Sequence, residues 1–227
     1  MTNSSPHWQK SVASLSFACA LLFCTTYPLA AQDQDWEKRA EARSKELERK
    51  NGEGTDQALK SELLKMRETD QDIRRRYIDG SEDKKKALAA EMERIDKTLT
   101  AKLKEIVATK GWPTIHLVGL KASGGAALVL IHSPDHEFQR RMLPQLQKLV
   151  DEDQIVGSDI ALITDKLLVA DGKPQRFGTQ FAERNGKMVM SPVEDPDHLE
   201  QRREKYLLPP MAEYKKLLAD IYHMPVE

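Results

Sequence analysis

Apolar residues recur every three or four positions through the charged first half of the chain, between residues 55 and 110. This spacing places them on one face of a helix. The pattern breaks at Asp79-Gly80-Ser81, where a glycine can end one helix and a serine can cap the next. We therefore expect two amphipathic helices in an antiparallel hairpin. The first apolar face consists of Leu59, Leu63, Met66, Ile73 and Tyr77, and the second of Leu88, Met92, Ile95, Leu99, Leu103 and Ile106.

A shorter charged helix is expected before this hairpin, from Trp36 to Lys50, followed by the flexible link Asn51-Gly52-Glu53-Gly54. The charged region ends at Gly111-Trp112-Pro113, where the glycine closes the long helix and the proline prevents its continuation. We place a domain boundary there. It separates a charged helical region, 32–110, from a second, mainly helical domain, 111–227.

The second half contains several further helical patterns. Apolar residues cover nearly every face of residues 122–131, which indicates a buried helix. Ser133-Pro134 has the residue types of an N-cap and a first helical position, so we expect the next helix to begin there. Later helices are expected at Ser158–Ala170, Leu199–Lys205 and Met211–Tyr222.

One β-hairpin is expected among these helices, near residues 175–193. Asn185-Gly186 lies between two segments of β-forming residues, and this dipeptide is the strongest short hairpin signal. The stretch GKPQRFGTQF, residues 172–181, would form the first strand, and 187–193 the second. The expected fold class is mainly α, with a charged helical hairpin followed by a compact helical domain. Two side chains of the first strand would face the core, Phe177 and Phe181.

The first 31 residues have the three-part pattern of a secretory signal peptide. Lys10 precedes the apolar run SVASLSFACALLFC, which is too short to span a bilayer comfortably, and small residues follow. Cleavage after Ala31 would give a secreted or periplasmic protein that begins at Gln32. The alternative is an uncleaved N-terminal anchor. Both cysteines lie in this segment, so packing would have to stabilise the mature chain.

Charge and motifs exclude several functional classes. The chain has 35 basic and 36 acidic residues, so its bulk charge does not favour nucleic acid as a partner. No apolar run in the mature chain is long and uninterrupted enough to suggest a membrane span. The sequence contains no phosphate loop, dinucleotide fingerprint or zinc-protease motif, and we expect no cofactor.

Two histidines in the second half are four residues apart, His132 and His136, which is the spacing of a helical zinc site. Pro134 lies between them and favours a break between two helices. The break would turn the imidazole rings away from each other, so we expect no metal site. His132 would then lie in a buried polar corner, and His136 on the surface.

Asp165 interrupts an apolar stretch from Ile160 to Val169, and a buried carboxylate needs a partner. It either pairs with Lys166 or Arg176, or it orients His132. In the second case His132 and Asp165 become candidate catalytic residues for acid–base chemistry. The glutamine-rich stretch that follows could bind a polar ligand through Gln175, Arg176, Thr179 and Gln180.

Three stretches carry a family resemblance: GWPT at 111–114, LVLIHSPDHEFQRRMLPQL at 128–146 and ITDKLLVADGKPQRFGTQF at 163–181. Together with the ending SPVEDPDHLEQRREKYLLPPMAEY, they are similar to an uncharacterised bacterial domain family of unknown function. Its members share a Trp-Pro entry, a His-Asp step and a Tyr-Gly-Thr-Gln signature. Phe177 replaces that tyrosine here, which removes a hydroxyl. The resemblance covers Gly111 to Tyr214 and implies no activity.

Two functions fit these patterns. The one that we favour is a non-catalytic envelope protein whose charged helices bind a partner. The alternative is an enzyme of hydrolase or transferase type, which acts on a small polar ligand with a His/Asp pair and a Gln-rich clamp. An open cleft lined by these side chains would favour the enzyme, and a sealed, fully paired network the binding protein.

Overall fold

The computed structural model describes residues 33–227 and confirms a mainly α fold with one two-stranded antiparallel hairpin. The predicted signal peptide lies outside the described residues. The helices are α1 (Asp33–Asn51), α2 (Gln57–Ile78), α3 (Glu82–Lys110), α4 (Ile115–Val118), α5 (Leu120–His132), α6 (His136–Asp151), α7 (Gly157–Ala170), α8 (Leu199–Lys205) and α9 (Met211–Tyr222), and the strands are β1 (Phe181–Arg184) and β2 (Lys187–Met190). Within this part of the chain, no helix has both the length and the apolar character needed to cross a membrane.

The two long helices, α2 and α3, form the expected antiparallel hairpin. Two ion pairs connect them, Arg74 with Asp96 and Arg76 with Glu91. The later residue of α2 pairs with the earlier residue of α3, as in an antiparallel arrangement. The apolar face of α2 is buried. Near the tip of the hairpin Leu88 is buried and Tyr77 and Ile78 are half-buried. The residues that α2 and α3 contribute to the main core lie towards the other end of the hairpin.

The buried helix α5 lies at the centre of the fold. Ten of its 13 residues are buried, as its uniformly apolar sequence predicts. Its side chains share one core with α2, α3, α6 and α7, and this core includes Leu63 and Leu103 as well as Leu130 and Ile163. One hydrophobic core therefore extends across the chain position at which we placed a boundary.

The predicted bounds of the hairpin are wrong for its first strand. β1 begins only at Phe181 and pairs with β2 in the register Phe181 with Met190, so GKPQRFGTQF is a loop that leads into the strand. A separate, parallel bridge joins Gln175 to Val193 and does not belong to the antiparallel hairpin. The aromatic expectation is confirmed, since Phe177 and Phe181 are both buried.

The start of α6 also differs from the prediction. Asp135, not Ser133, is the N-cap, and its carboxylate accepts the N–H of Phe138 at 2.8 Å. Ser133 instead ends α5, and its hydroxyl accepts the N–H of Asp135 at 3.1 Å. Pro134 thus separates two helices, as expected, but it lies two positions before His136, the first residue of α6.

Candidate functional site

Asp165, near the middle of α7, organises the predicted ligand clamp. Its buried carboxylate accepts the backbone N–H of Arg176 at 2.7 Å, of Phe177 at 3.1 Å and of Thr179 at 3.0 Å. The Thr179 hydroxyl donates a further bond at 2.9 Å. We call residues 175–180 the Asp165 loop. Because these N–H groups bind a carboxylate, they cannot donate to a strand, which explains why β1 starts late.

The glutamines of the Asp165 loop form hydrogen bonds to other groups of the protein itself. The Gln175 side chain donates to the carbonyls of Gln180 at 3.0 Å and Ser191 at 2.8 Å, and it accepts the N–H of Gln180 at 2.8 Å. The Gln180 amide donates to the Thr179 hydroxyl at 3.2 Å. The amide groups predicted to hold a ligand therefore stabilise the conformation of the loop.

Arg203 and Tyr214 hold the loop from its other side. The buried guanidinium of Arg203 donates to the carbonyls of Phe177 at 2.5 Å and Pro209 at 2.8 Å. The Tyr214 hydroxyl donates to the Thr179 carbonyl at 3.1 Å, and its ring lies 4.8 Å from the Arg203 guanidinium carbon. Both faces of the loop are thus covered by α7, α8 and α9.

A second buried polar group lies where α2, α3, α5 and α7 meet. Nδ1 of His132 is 2.8 Å from a carboxylate oxygen of Asp70, and Gln71 donates to the other oxygen at 2.8 Å. Arg74 bridges two carboxylates, with one nitrogen 3.0 Å from Asp70 and another 3.0 Å from Asp96. We call the five ionisable residues of this region the ionic cluster: Asp70, Arg74, Asp96, His132 and Lys166.

Burial and charge shift the pKa values of the ionic cluster in different directions. Burial opposes ionisation of Asp70, but the charges of His132 and Arg74 outweigh it and lower the Asp70 pKa to about 2. For Asp96 burial dominates and raises the pKa, although Arg74 opposes this shift. Burial lowers the Lys166 pKa to about 8, against the attraction of Asp96. The cluster therefore combines one carboxylate that favours its ionised form, Asp70, with two groups whose ionised forms are disfavoured by burial, Asp96 and Lys166.

Lys166 also closes the end of the buried helix α5. Its ammonium donates to the carbonyls of Ile131 at 2.6 Å and Ser133 at 2.9 Å. The Gln139 side-chain amide donates to the Leu130 carbonyl at 2.7 Å. The last carbonyls of a helix lack partners within it, so a buried end needs such donors, and a cation there also complements the helix dipole.

The structure gives the predicted site residues partners other than those expected. Nδ1 of His132 is paired with Asp70, whereas the hydrogen bonds described for Asp165 come from residues 176–179. Arg176 reaches Asp165 through its backbone N–H rather than its side chain. His136, in the first turn of α6, is half-buried, and burial lowers its pKa. Within residues 33–227 no three His, Cys, Asp or Glu side chains are arranged to hold a metal ion.

The partners that α2 and α3 contribute to the ionic cluster were not predicted from the sequence. A signal was present, because Asp70 falls four residues after Met66 and three before Ile73, on the apolar face of α2. Asp96 has the same relation to Met92 and Leu99 on α3. A carboxylate on an apolar helix face must be paired when it is buried. Applied to α2 and α3, this rule predicts both acids.

The fold and its sites define a mainly helical domain with a small β-hairpin, a carboxylate-bound loop and a buried ionic cluster. Residues 57–227 match the model of a family of unknown function, DUF6624, and the chain belongs to this family. The match begins at the first residue of α2, so it includes the two long helices that the resemblance from Gly111 to Tyr214 did not cover. No curated protein and no solved structure gives a significant match.

Proposed function

We propose that this chain is an exported envelope protein that acts by binding a partner and not by catalysis. The observation that carries the proposal is the use of polar atoms in the predicted clamp. Asp165, Gln175 and Thr179 direct their hydrogen bonds to backbone and side-chain groups of the protein itself. A ligand would have to break these bonds, each of which leaves a buried polar group unpaired when it is lost.

The proposed partner is another envelope protein, and the charged outer surface of α2 and α3 would contact it. Basic and acidic side chains are both present there, with exposed lysines at 84 and 86 and ion pairs such as Arg75 with Glu68. Such a mixed surface favours a protein partner of complementary charge over a polyanion.

Export is tested first, by fractionating cells that produce the full chain and sequencing the N-terminus of the product. The signal pattern of residues 1–31 predicts a mature protein that begins at Gln32 and is found outside the cytoplasm. A cytoplasmic product, or one that retains Met1, would contradict this part of the proposal.

Two alanine variants distinguish a catalytic role of the buried polar residues from a purely structural one. Gln180→Ala and His132→Ala should each lose roughly 1–3 kcal/mol of unfolding free energy, because each leaves buried polar groups unpaired. Gln145→Ala, at an exposed position of α6, serves as the control and should leave the stability unchanged. The binding proposal is wrong for this site if Gln180→Ala keeps full stability and instead abolishes binding of a small polar ligand.

One observation favours the enzyme as a second candidate. The short contact from Nδ1 of His132 to Asp70 is the arrangement in which a carboxylate orients an imidazole for proton transfer. Access decides between the two functions, since a catalytic imidazole must be reached from solvent. Treatment of the folded protein with diethyl pyrocarbonate should modify the exposed His116, His198 and His223 and leave His132 intact. Rapid modification of His132 in the folded protein would support the enzyme instead.

A further inference from the structure

The first helix, α1, lies outside the part of the chain that the family model matches, yet it is attached to that part. α1 covers Asp33–Asn51, and the match begins at residue 57. Its side chains contact the α6–α7 connection at one end and the segment after α8 at the other. This chain therefore carries one helix more than the matched domain, laid across its surface.

Asp153 is the attachment point at the C-terminal end of α1. Its carboxylate pairs with Lys50 at 2.6 Å and with Arg43, and its carbonyl accepts the side-chain amide of Asn51 at 2.8 Å. Gln154 donates to the Asn51 side chain at 2.9 Å. Asp153 has a φ of 60°, a left-handed conformation that aspartate and asparagine tolerate better than most residues. One residue of the α6–α7 connection thus binds three side chains of α1.

The N-terminal end of α1 is attached by polar contacts of Trp36 and Arg39. The Trp36 indole N–H donates to the Leu207 carbonyl at 3.0 Å, and Arg39 pairs with Glu204 at 2.8 Å. The Arg39–Glu204 pair is exposed, with 42% and 66% of the two side chains accessible. Exposed pairs of this kind contribute little and are screened by salt.

Little apolar surface supports these polar contacts. Among the α1 side chains that the structure describes, from Trp36 onward, Leu47 is the one buried apolar residue. Four apolar side chains of α2 are buried by comparison. Since apolar burial is the main source of helix attachment, α1 is held more weakly than α2.

The link after α1 provides a hinge. Gly52 has a φ of 81° and open space around it, whereas the next residues are fixed by bonds from the N–H groups of Thr55 and Asp56 to the Leu117 carbonyl, at 2.9 and 2.8 Å. α1 can therefore rotate away at Gly52 while residues 55 and 56 stay in place.

We propose that α1 is a salt-sensitive strap, pinned at Asp153, which opens as a unit at Gly52 and exposes the surface beneath it while the domain of residues 57–227 stays folded. The surface that opening exposes is formed by α4 and the α6–α7 connection. The proposal concerns a different surface from the outer face of α2 and α3, and it holds whether or not the protein is exported.

Amide hydrogen exchange of a protein that contains residues 33–227 tests the strap. Mass spectrometry measures the exchange separately in peptides from α1, α2 and α5. Asp153→Asn removes the charge and keeps a residue that tolerates a positive φ. The substitution should speed exchange in α1 about tenfold, because loss of the ion pairs shifts the equilibrium between closed and open α1 by about a factor of ten. Exchange in α2 and α5 should be unchanged. Raising the NaCl concentration should have the same selective effect on the wild-type protein.

The matched control is Asp151→Asn, which removes the same charge two residues earlier, at an exposed position bonded to Gln147. It should leave α1 exchange unchanged. The proposal is overturned if α1 exchanges together with α2 and α5 in the wild-type protein at every salt concentration. It is equally overturned if Asp153→Asn has no effect, or if it accelerates all three helices alike.

Discussion

Two buried aspartates of this protein show how environment sets the cost of a charge. Asp70 faces Arg74 and His132, and these charges bring its pKa to about 2 despite burial. Asp165 is bound by neutral N–H groups and a hydroxyl, and burial raises its pKa although these bonds pull it down. Hydrogen bonds alone therefore do not compensate for the loss of water at Asp165, whereas nearby positive charges do so at Asp70.

Asp70 should make the protein sensitive to acid. Its pKa is lower in the folded than in the unfolded state, so its contribution is present above pH 3.8 and is lost as the pH falls towards 2. Wild-type protein should lose about 2 kcal/mol more unfolding free energy over this range than Asp70→Asn. Urea unfolding at pH 5 and pH 2 measures the difference. An equal loss in both proteins would show that Asp70 does not carry this dependence.

Asp165→Asn should destabilise the fold even though the two side chains have the same shape. One carboxylate oxygen becomes an NH2 group, which cannot accept the bonds from Thr179 and instead faces its N–H. The expected loss is roughly 1–3 kcal/mol in thermal or urea unfolding. Asp171→Asn is the control, because Asp171 is exposed at the end of the same helix and pairs with Arg140 on the surface. Equal losses in the two variants would contradict the role of the Asp165 loop.

At the scale of elements, the link between α1 and α2 depends on two glycines for different reasons. Both have positive φ, 81° at Gly52 and 98° at Gly54. A side chain at Gly52 would meet open space, whereas a Cβ at Gly54 would lie 2.5 Å from the backbone carbon of Val118. The two positions therefore share a conformational demand and differ in steric contact.

This difference predicts unequal effects of the same substitution. Gly52→Ala should cost about 1 kcal/mol, from backbone strain alone. Gly54→Ala should cost at least about 2 kcal/mol more, because the Val118 backbone would have to move. Thermal melts of the two variants provide the comparison, and similar melting temperatures would mean that the contact with Val118 is not restrictive.

The helices were far more predictable than the hairpin, for a physical reason. The expected bounds of the last two helices, Leu199–Lys205 and Met211–Tyr222, agree with the structure because local apolar spacing and flanking prolines determine them. The bounds of β1 depend on Asp165, which lies on α7 and accepts the N–H groups of Arg176, Phe177 and Thr179. No local pattern in GKPQRFGTQF records that contact, so its alternation of side chains was misleading.

At the scale of the whole molecule, the charged first half and the apolar second half are parts of one core. Leu63 of α2 and Leu103 of α3 have no accessible surface and pack with residues of α5 and α7. A fragment of residues 111–227 would expose the surface that these helices cover. We expect it to lack a cooperative unfolding transition, whereas a fragment of 57–227 should show one. A cooperative transition in the shorter fragment would favour the boundary at Gly111.

The same organisation limits what sequence could show about the candidate sites. Asp165 and Gln175 are close in sequence, and their involvement in one polar site could be predicted. The ionic cluster brings together side chains from four helices, and its members Asp70 and His132 are 62 positions apart. The sequence alone does not show that these residues are close in space. It shows only that Asp70 and Asp96 lie on the apolar faces of their helices.

The central position of α5 has a consequence for the kinetics of folding. Its neighbours α2 and α7 lie on opposite sides of it in sequence, and closing the chain between Asp70 and His132 requires a loop of 62 positions. Loop closure must be completed before these contacts stabilise anything, which slows folding relative to a bundle of sequential neighbours. Until α2 docks, a helix that is apolar on nearly every side stays exposed to water, and other unfolded chains can bind it. The time that α2 takes to dock therefore sets the interval in which this protein is prone to aggregate.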